Sequence, residues 1–127
     1  MILFDLNSFK QVNDNYGHEA GDKVLRSFAE RLSKATRGSD LAALYGGDEF
    51  LALLPECKTG DVQCVLKRLD GVQADVGGEI LKISYSAGWA DYIPGDSAEE
   101  LLRRADKALY VNKRKEKGQD KPSIVSA

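Results

Sequence analysis

The sequence predicts an α+β sandwich, a sheet with helices packed against it. Three observations lead there. Apolar residues recur at helical spacing in three separate segments, Val24 to Leu32, Val65 to Val72 and Leu101 to Leu109. Strand-like runs lie between and before them, at Met1 to Phe4, Leu41 to Pro55 and Leu81 to Trp89. The middle run is split by Gly46-Gly47, which reads as a β-hairpin whose glycines supply the positive φ of a tight turn. With 127 residues, 43% of them hydrophobic, the chain suits one domain around one core.

Met1-Ile-Leu-Phe4 reads as a buried strand that ends in Asp5. Opening directly on a strand, the sequence reads as part of something longer. Ser8-Phe-Lys-Gln11 has the form of a capping box, so a short helix is expected from Ser8. Asn13 to Asp22 is polar and turn-rich, and is expected to be a loop. A helix follows from Asp22, with Val24, Leu25, Phe28, Ala29 and Leu32 on its inner face, and Gly38 as its stop. After the hairpin, a second amphipathic helix spans roughly Asp61 to Val72. Leu81, Ile83, Tyr85, Ala87 and Trp89 alternate with smaller or polar residues, the pattern of one half-buried strand. Ser97-Ala-Glu-Glu100 caps a last helix lined by Leu101, Leu102, Ala105, Ala108 and Leu109. Beyond Lys117 a frayed tail is expected. The order is β-α-α-β-β-α-β-α, related to the β-α-β-β-α-β ferredoxin-like pattern with a palm-like central sheet.

Charge excludes several functions. Eighteen basic against twenty acidic residues leave a net charge of −2, so no basic surplus marks nucleic acid as a partner. No apolar run is long enough for a membrane segment or signal peptide. Cys57 and Cys64 lack a metal-binding or redox spacing, which fits a reduced, cytoplasmic chain. His18 is the single histidine, against a histidine-built zinc site.

The chemistry collects at the ends of strands. Asp5 stands at the carboxyl end of the first strand, just before a helix amino terminus. A carboxylate beside free N–H groups suits Mg²⁺ and a triphosphate, or the acid merely caps the turn. Asp48 and Glu49 occupy the hairpin tip, as metal-binding acids or as a solvated turn. If the first strand lies beside the hairpin, all three carboxylates converge. Successive strand residues point to opposite faces, so Asp48 and Glu49 share one centre only if the turn bends the backbone.

YGGDEF (Tyr45 to Phe50), with FDLNSFKQVNDNYGHEAGDKVL (Phe4 to Leu25), resembles the GGDEF domain of bacterial diguanylate cyclases. ISYSAGWA (Ile83 to Ala90) and ADKALYVNK (Ala105 to Lys113) are similar to its later parts, in the same order. The resemblance implies a catalytic domain over residues 1–118, lacking the family's first helix, and a tail over 119–127. It implies that two GTP molecules condense to cyclic di-GMP with release of pyrophosphate, across a two-fold homodimer. An attached sensor or receiver domain would drive dimerisation.

Carried over by position, the resemblance makes Asp5, the Leu6 carbonyl, Asp48 and Glu49 ligands of Mg²⁺, with Mn²⁺ as an alternative. Asp48 or Glu49 is also the proton acceptor, and the sequence leaves both roles open for both acids. Ser8, Phe9 and Lys10 would receive the terminal phosphates on backbone N–H groups. Asn13 and Asp22 would read guanine, the carboxylate accepting from N1–H and N2–H, donors that adenine lacks. Read bottom-up, Asn13 is equally a loop-shaping residue and Asp22 a helix cap. His18 matches a further substrate contact, and Lys113 and Lys117 match phosphate-contacting bases or a solvated helix end. Arg37-Gly-Ser-Asp40 falls in register with an inhibitory R-x-x-D site for cyclic di-GMP. Three departures stand out: Leu44 replaces an arginine, Glu116-Lys117-Gly118 replaces G-R-N, and the upstream D-x-L-T-x-L-x-N-R helix is missing. They leave a second reading, a degenerate module that binds GTP or cyclic di-GMP without turnover.

Overall fold

In the computed structural model, residues 1–36, 41–44, 46–54, 59–116 and 125–126 are described. The central sheet holds β1 (Ile2–Leu6), β2 (Leu41–Leu44), β3 (Glu49–Leu53), β6 (Tyr85–Trp89) and β7 (Val125–Ser126), in the order β2-β3-β1-β6-β7. β1 is central and antiparallel to both β3 and β6. Helices α1 (Phe9–Tyr16), α2 (His18–Ala35), α3 (Thr59–Leu69) and α4 (Ala98–Glu116) complete the predicted sandwich.

All five residues of β1 are buried, because helices cover both faces of the sheet. Ile2, Phe4 and Leu6 join the main core with Val24, Phe28 and Leu32 of α2 and Val62, Val65, Leu66 and Leu69 of α3. The Phe28 ring lies 5.7 Å from Phe4, 4.9 Å from Phe50 and 5.5 Å from Tyr85. Such aromatic pairs add about 0.5–1.5 kcal/mol each beyond their buried area. Leu3, on the opposite face, packs with Ala105 and Leu109 of α4. Sequence periodicity named most of these positions, although Ala29 on the expected inner face is exposed.

Several expectations change. The loop expected at Asn13 to Asp22 is helical apart from Gly17, whose φ of 91° and ψ of 167° suit glycine alone. Polar residues there lie on solvent-facing helix surface, which composition cannot distinguish from loop. Asp22 is consequently inside α2 and is no cap. The capping box at Ser8 does not form: Ser8 is left-handed (φ 59°) and its side chain makes no capping bond. At Ser97 the cap does form, the Glu100 N–H donating to Ser97 Oγ at 3.1 Å. Gly46 and Gly47 are not among the glycines of positive φ, so the turn is not of the expected kind.

The single strand expected over Leu81 to Trp89 is two. β5 (Glu79–Lys82) pairs with an unforeseen β4 (Gln73–Val76) in a separate hairpin, and only β6 enters the main sheet. β6 is buried on both faces, because its small residues admit α4. A Cβ on Gly88 would stand 2.1 Å from the Leu109 backbone nitrogen. Val125–Ser126, expected in the frayed tail, form β7 parallel to β6.

Candidate functional site

The β1–β3 register sets Glu49 opposite Asp5, and the β1–β6 register sets Ser86 opposite Asp5 on its other side. Directly paired residues share a face. Asp5, Glu49 and Ser86 therefore face α4, at the end of β1 that leads into α1. Asp48 lies in the hairpin turn, and its carbonyl accepts from the Leu6 N–H at 3.0 Å. This bond ties the hairpin tip to the end of β1. Asp48 and Glu49 both lie within reach of the charge of Asp5.

Burial pushes the Asp48 carboxyl up, and the negative charge of Asp5 pushes it further. Glu49 is raised by burial and then by Asp5, Asp48 and Asp106. Lys113, on α4, is the cation of the cluster, and its ammonium donates to Asp5 Oδ2. Burial alone would lower the Lys113 ammonium, but the hydrogen bond and charge of Asp5, with Asp48 and Glu49, outweigh it and raise its pKa. Lys113 thus contacts Asp5 directly and feels the charges of Asp48 and Glu49. The donor chemistry fits a divalent hard cation. Among the described residues no three such side chains are yet arranged closely enough to hold one, Asp5 being engaged by Lys113.

The first turn of α1 follows Asp5 within four residues. Ser8 and Lys10 are exposed, and Phe9 packs its ring against the core. The first backbone bond of the helix runs from Val12 N–H to Ser8 O at 3.1 Å, and N–H groups ahead of it are those a helix start leaves over. Asn13 is half-buried, with its Oδ1 1.8 Å from where a Cβ on Gly21 would stand. The structure so brings Asn13 against the residue preceding Asp22, at the α1–α2 junction. Asp22 and His18 are exposed on the early turns of α2.

Arg37, Asp40 and Lys117 lie outside the described residues, as does Tyr45. Leu44 is 56% exposed, a large apolar side chain at the hairpin edge. Two site features escaped sequence reasoning. Asp106 acts on Glu49 from α4, seven residues before Lys113, and that two-turn spacing is the signal that could have found it. Asn7 bonds to Ser84 and Ser86 across the β1–β6 pair, and nothing local in sequence announces it.

Comparison with known proteins gives a consistent result. The family model described as "Diguanylate cyclase, GGDEF domain" matches residues 1–119. The response regulator PleD of Caulobacter vibrioides is 39% identical over 119 residues, covering 88% of this chain and 26% of PleD. Diguanylate cyclase DgcP of Pseudomonas aeruginosa is 39% identical over 118 residues, covering 90% of this chain and 18% of DgcP. The chain thus spans about a quarter or less of these curated relatives. The crystal structure of diguanylate cyclase SiaD from Pseudomonas aeruginosa, in complex with its activator SiaC, superposes with a TM-score of 0.86 at 36% identity. It covers 99% of this chain and 48% of SiaD. The GGDEF domain of DgcB from Caulobacter crescentus, in complex with c-di-GMP, has a TM-score of 0.80 at 32% identity. It covers 90% of this chain and 71% of that one.

Proposed function

The chain belongs to the GGDEF family of diguanylate cyclases, and from that premise we propose that it condenses two GTP molecules into cyclic di-GMP. The observation that carries this reading is the cluster of Asp5, Asp48, Glu49 and Lys113, set beside the first turn of α1.

In this reading each copy of the chain binds one GTP. Asn13 and Asp22 hold guanine, backbone N–H groups from Ser8 to Lys10 hold the terminal phosphates, and His18 lines the substrate. The 3′-oxygen of each GTP forms a bond to the α-phosphorus of the other, and the bond to the β-phosphate breaks. Two such steps give cyclic di-GMP and two pyrophosphates. Asp48 or Glu49 accepts the hydroxyl proton, a task helped by carboxyl pKa values that burial and Asp5 raise. Asp5, the Leu6 carbonyl and the hairpin acids would hold Mg²⁺ or Mn²⁺, which would supply charge neutralisation and a lowered hydroxyl pKa. Lys113 neutralises Asp5 and, once displaced from it, offers its ammonium to phosphate. Lys117 adds a second base.

Arg37 and Asp40 form the inhibitory site for cyclic di-GMP in the same reading. Each chain supplies half of the active site, so turnover requires a homodimer driven by an attached sensor or receiver domain, in the cytoplasm. No described helix is long and apolar enough to cross a membrane.

The test is GTP with Mg²⁺, incubated with a longer chain that carries its own dimerising segment, then chromatography for cyclic di-GMP. Product is the expected result. The engagement of Asp5 by Lys113 favours a second reading, a binding module without turnover. No product alongside tight cyclic di-GMP binding would establish that reading and overturn the cyclase.

A further inference from the structure

Ser8 is the one described residue other than glycine with positive φ. Left-handed backbone costs such a residue about 1–2 kcal/mol and persists only where its surroundings hold it. The residue before it shows what does so. The Asn7 N–H donates to Ser84 O at 2.9 Å, adding a rung beyond the Leu6–Tyr85 pair. Asn7 Nδ2 donates to Ser84 Oγ at 3.0 Å, and Ser86 Oγ donates to Asn7 Oδ1 at 3.0 Å. Ser86 is fully buried, so its bond to Asn7 is made away from water. On the other flank, the Leu6 N–H holds the hairpin through Asp48 O.

We propose that Asn7 is a positioning residue for the triphosphate. Its carboxamide clasps the β1–α1 turn to Ser84 and Ser86, and so fixes where the N–H groups of Ser8 to Lys10 point. The inference rests on the reading of that turn as the phosphate cradle. It adds to that reading a pair of serines some eighty positions away.

The experiment compares wild type with Asn7→Ala, Asn7→Asp and Ser84→Ala. Steady-state kinetics with GTP and hydrogen exchange at the Leu6 and Val12 amides, bonded to Asp48 O and Ser8 O on either side of the turn, are read together. Asn7→Ala removes the side-chain hydrogen bonds to Ser84 and Ser86, so KM for GTP rises on the order of tenfold while kcat changes little, and exchange quickens by a similar factor. Asn7→Asp restores both readings to within about threefold, because either serine hydroxyl can turn to donate to a carboxylate. Ser84 is exposed, so Ser84→Ala keeps the fold and gives a partial effect even where Asn7→Ala folds poorly. Unchanged KM and exchange in Ser84→Ala and Asn7→Ala would overturn the proposal, as would Asn7→Asp behaving like Asn7→Ala. Exchange decides the matter even where no protein makes cyclic di-GMP, a result that would overturn the cyclase reading alone.

Discussion

Glu49 faces Asp5 directly across the β1–β3 ladder, two carboxylates on one face of an antiparallel pair. Like charges so placed weaken a sheet, and a fold keeps them only where something else is served. Lys113 offsets part of the repulsion, yet both hairpin acids still have raised pKa values.

Glu49→Gln is accordingly expected to stabilise the metal-free chain by up to about 1 kcal/mol while turnover falls at least tenfold. The gain depends on pH with a definite sign. A carboxyl raised in the fold is penalised when charged, so the gain is full at neutral pH. It shrinks as pH falls through the raised value of Glu49 and vanishes below 4.5, its ordinary value. Urea denaturation of both proteins at pH 7 and pH 4 measures this. A variant less stable than wild type at pH 7 would refute it.

Asp48→Asn should cut cyclic di-GMP formation by about a hundredfold or more, the usual scale for losing a positioned base. The fold should survive, because Asp48 ties the hairpin to β1 through its backbone carbonyl. Rate assays with a thermal melt check both halves. An active variant would move the proton-acceptor role to Glu49.

Gly21→Ala tests the guanine end. The new methyl meets the Asn13 carboxamide, the movable tip of a side chain, so stability should change by less than about 1 kcal/mol. Asn13 must swing away, and GTP affinity should fall roughly tenfold, the worth of one or two hydrogen bonds. Equilibrium binding of GTP reads this directly. Unaltered affinity would take Asn13 out of the base-reading pair.

Gly88→Ala is a stability test of the same kind with the opposite outcome. Its methyl meets the Leu109 backbone, which cannot step aside without moving α4, so a loss of about 3 kcal/mol or more is expected. Denaturant titration measures it.

Arg37→Ala should relieve inhibition by cyclic di-GMP with little effect on the initial rate. Progress curves with added product decide it, and unchanged inhibition would count against the R-x-x-D assignment.

Much of this was legible in the sequence, for reasons that differ by element. Val24, Phe28 and Leu32 announced their helix because burial on one face enforces helical spacing. Asp5 and the Asp48-Glu49 tip stood out as charge at strand ends. What stayed hidden depends on contacts distant in sequence. The alternation from Leu81 to Trp89 looked like one strand, since Ser86 and Gly88 read as solvent-facing until α4 is seen to cover them. The turn-rich Asn13 to Asp22 stretch was mistaken for a loop because one Gly17 does the work of a whole connection. Ser8 looked like a cap, and its left-handed backbone follows from Asn7 and β6.

The bond between Asp5 and Lys113 joins positions 108 apart. During synthesis at about 5–20 residues per second, roughly five to twenty seconds separate their appearance. Through that interval the emerging chain carries β1, the hairpin and both early helices, but not the lysine that pairs with Asp5. A ribosome-bound intermediate thus holds its neighbouring acids without the cation that pairs with Asp5. The charge balance of the cluster is complete only once α4 has been made.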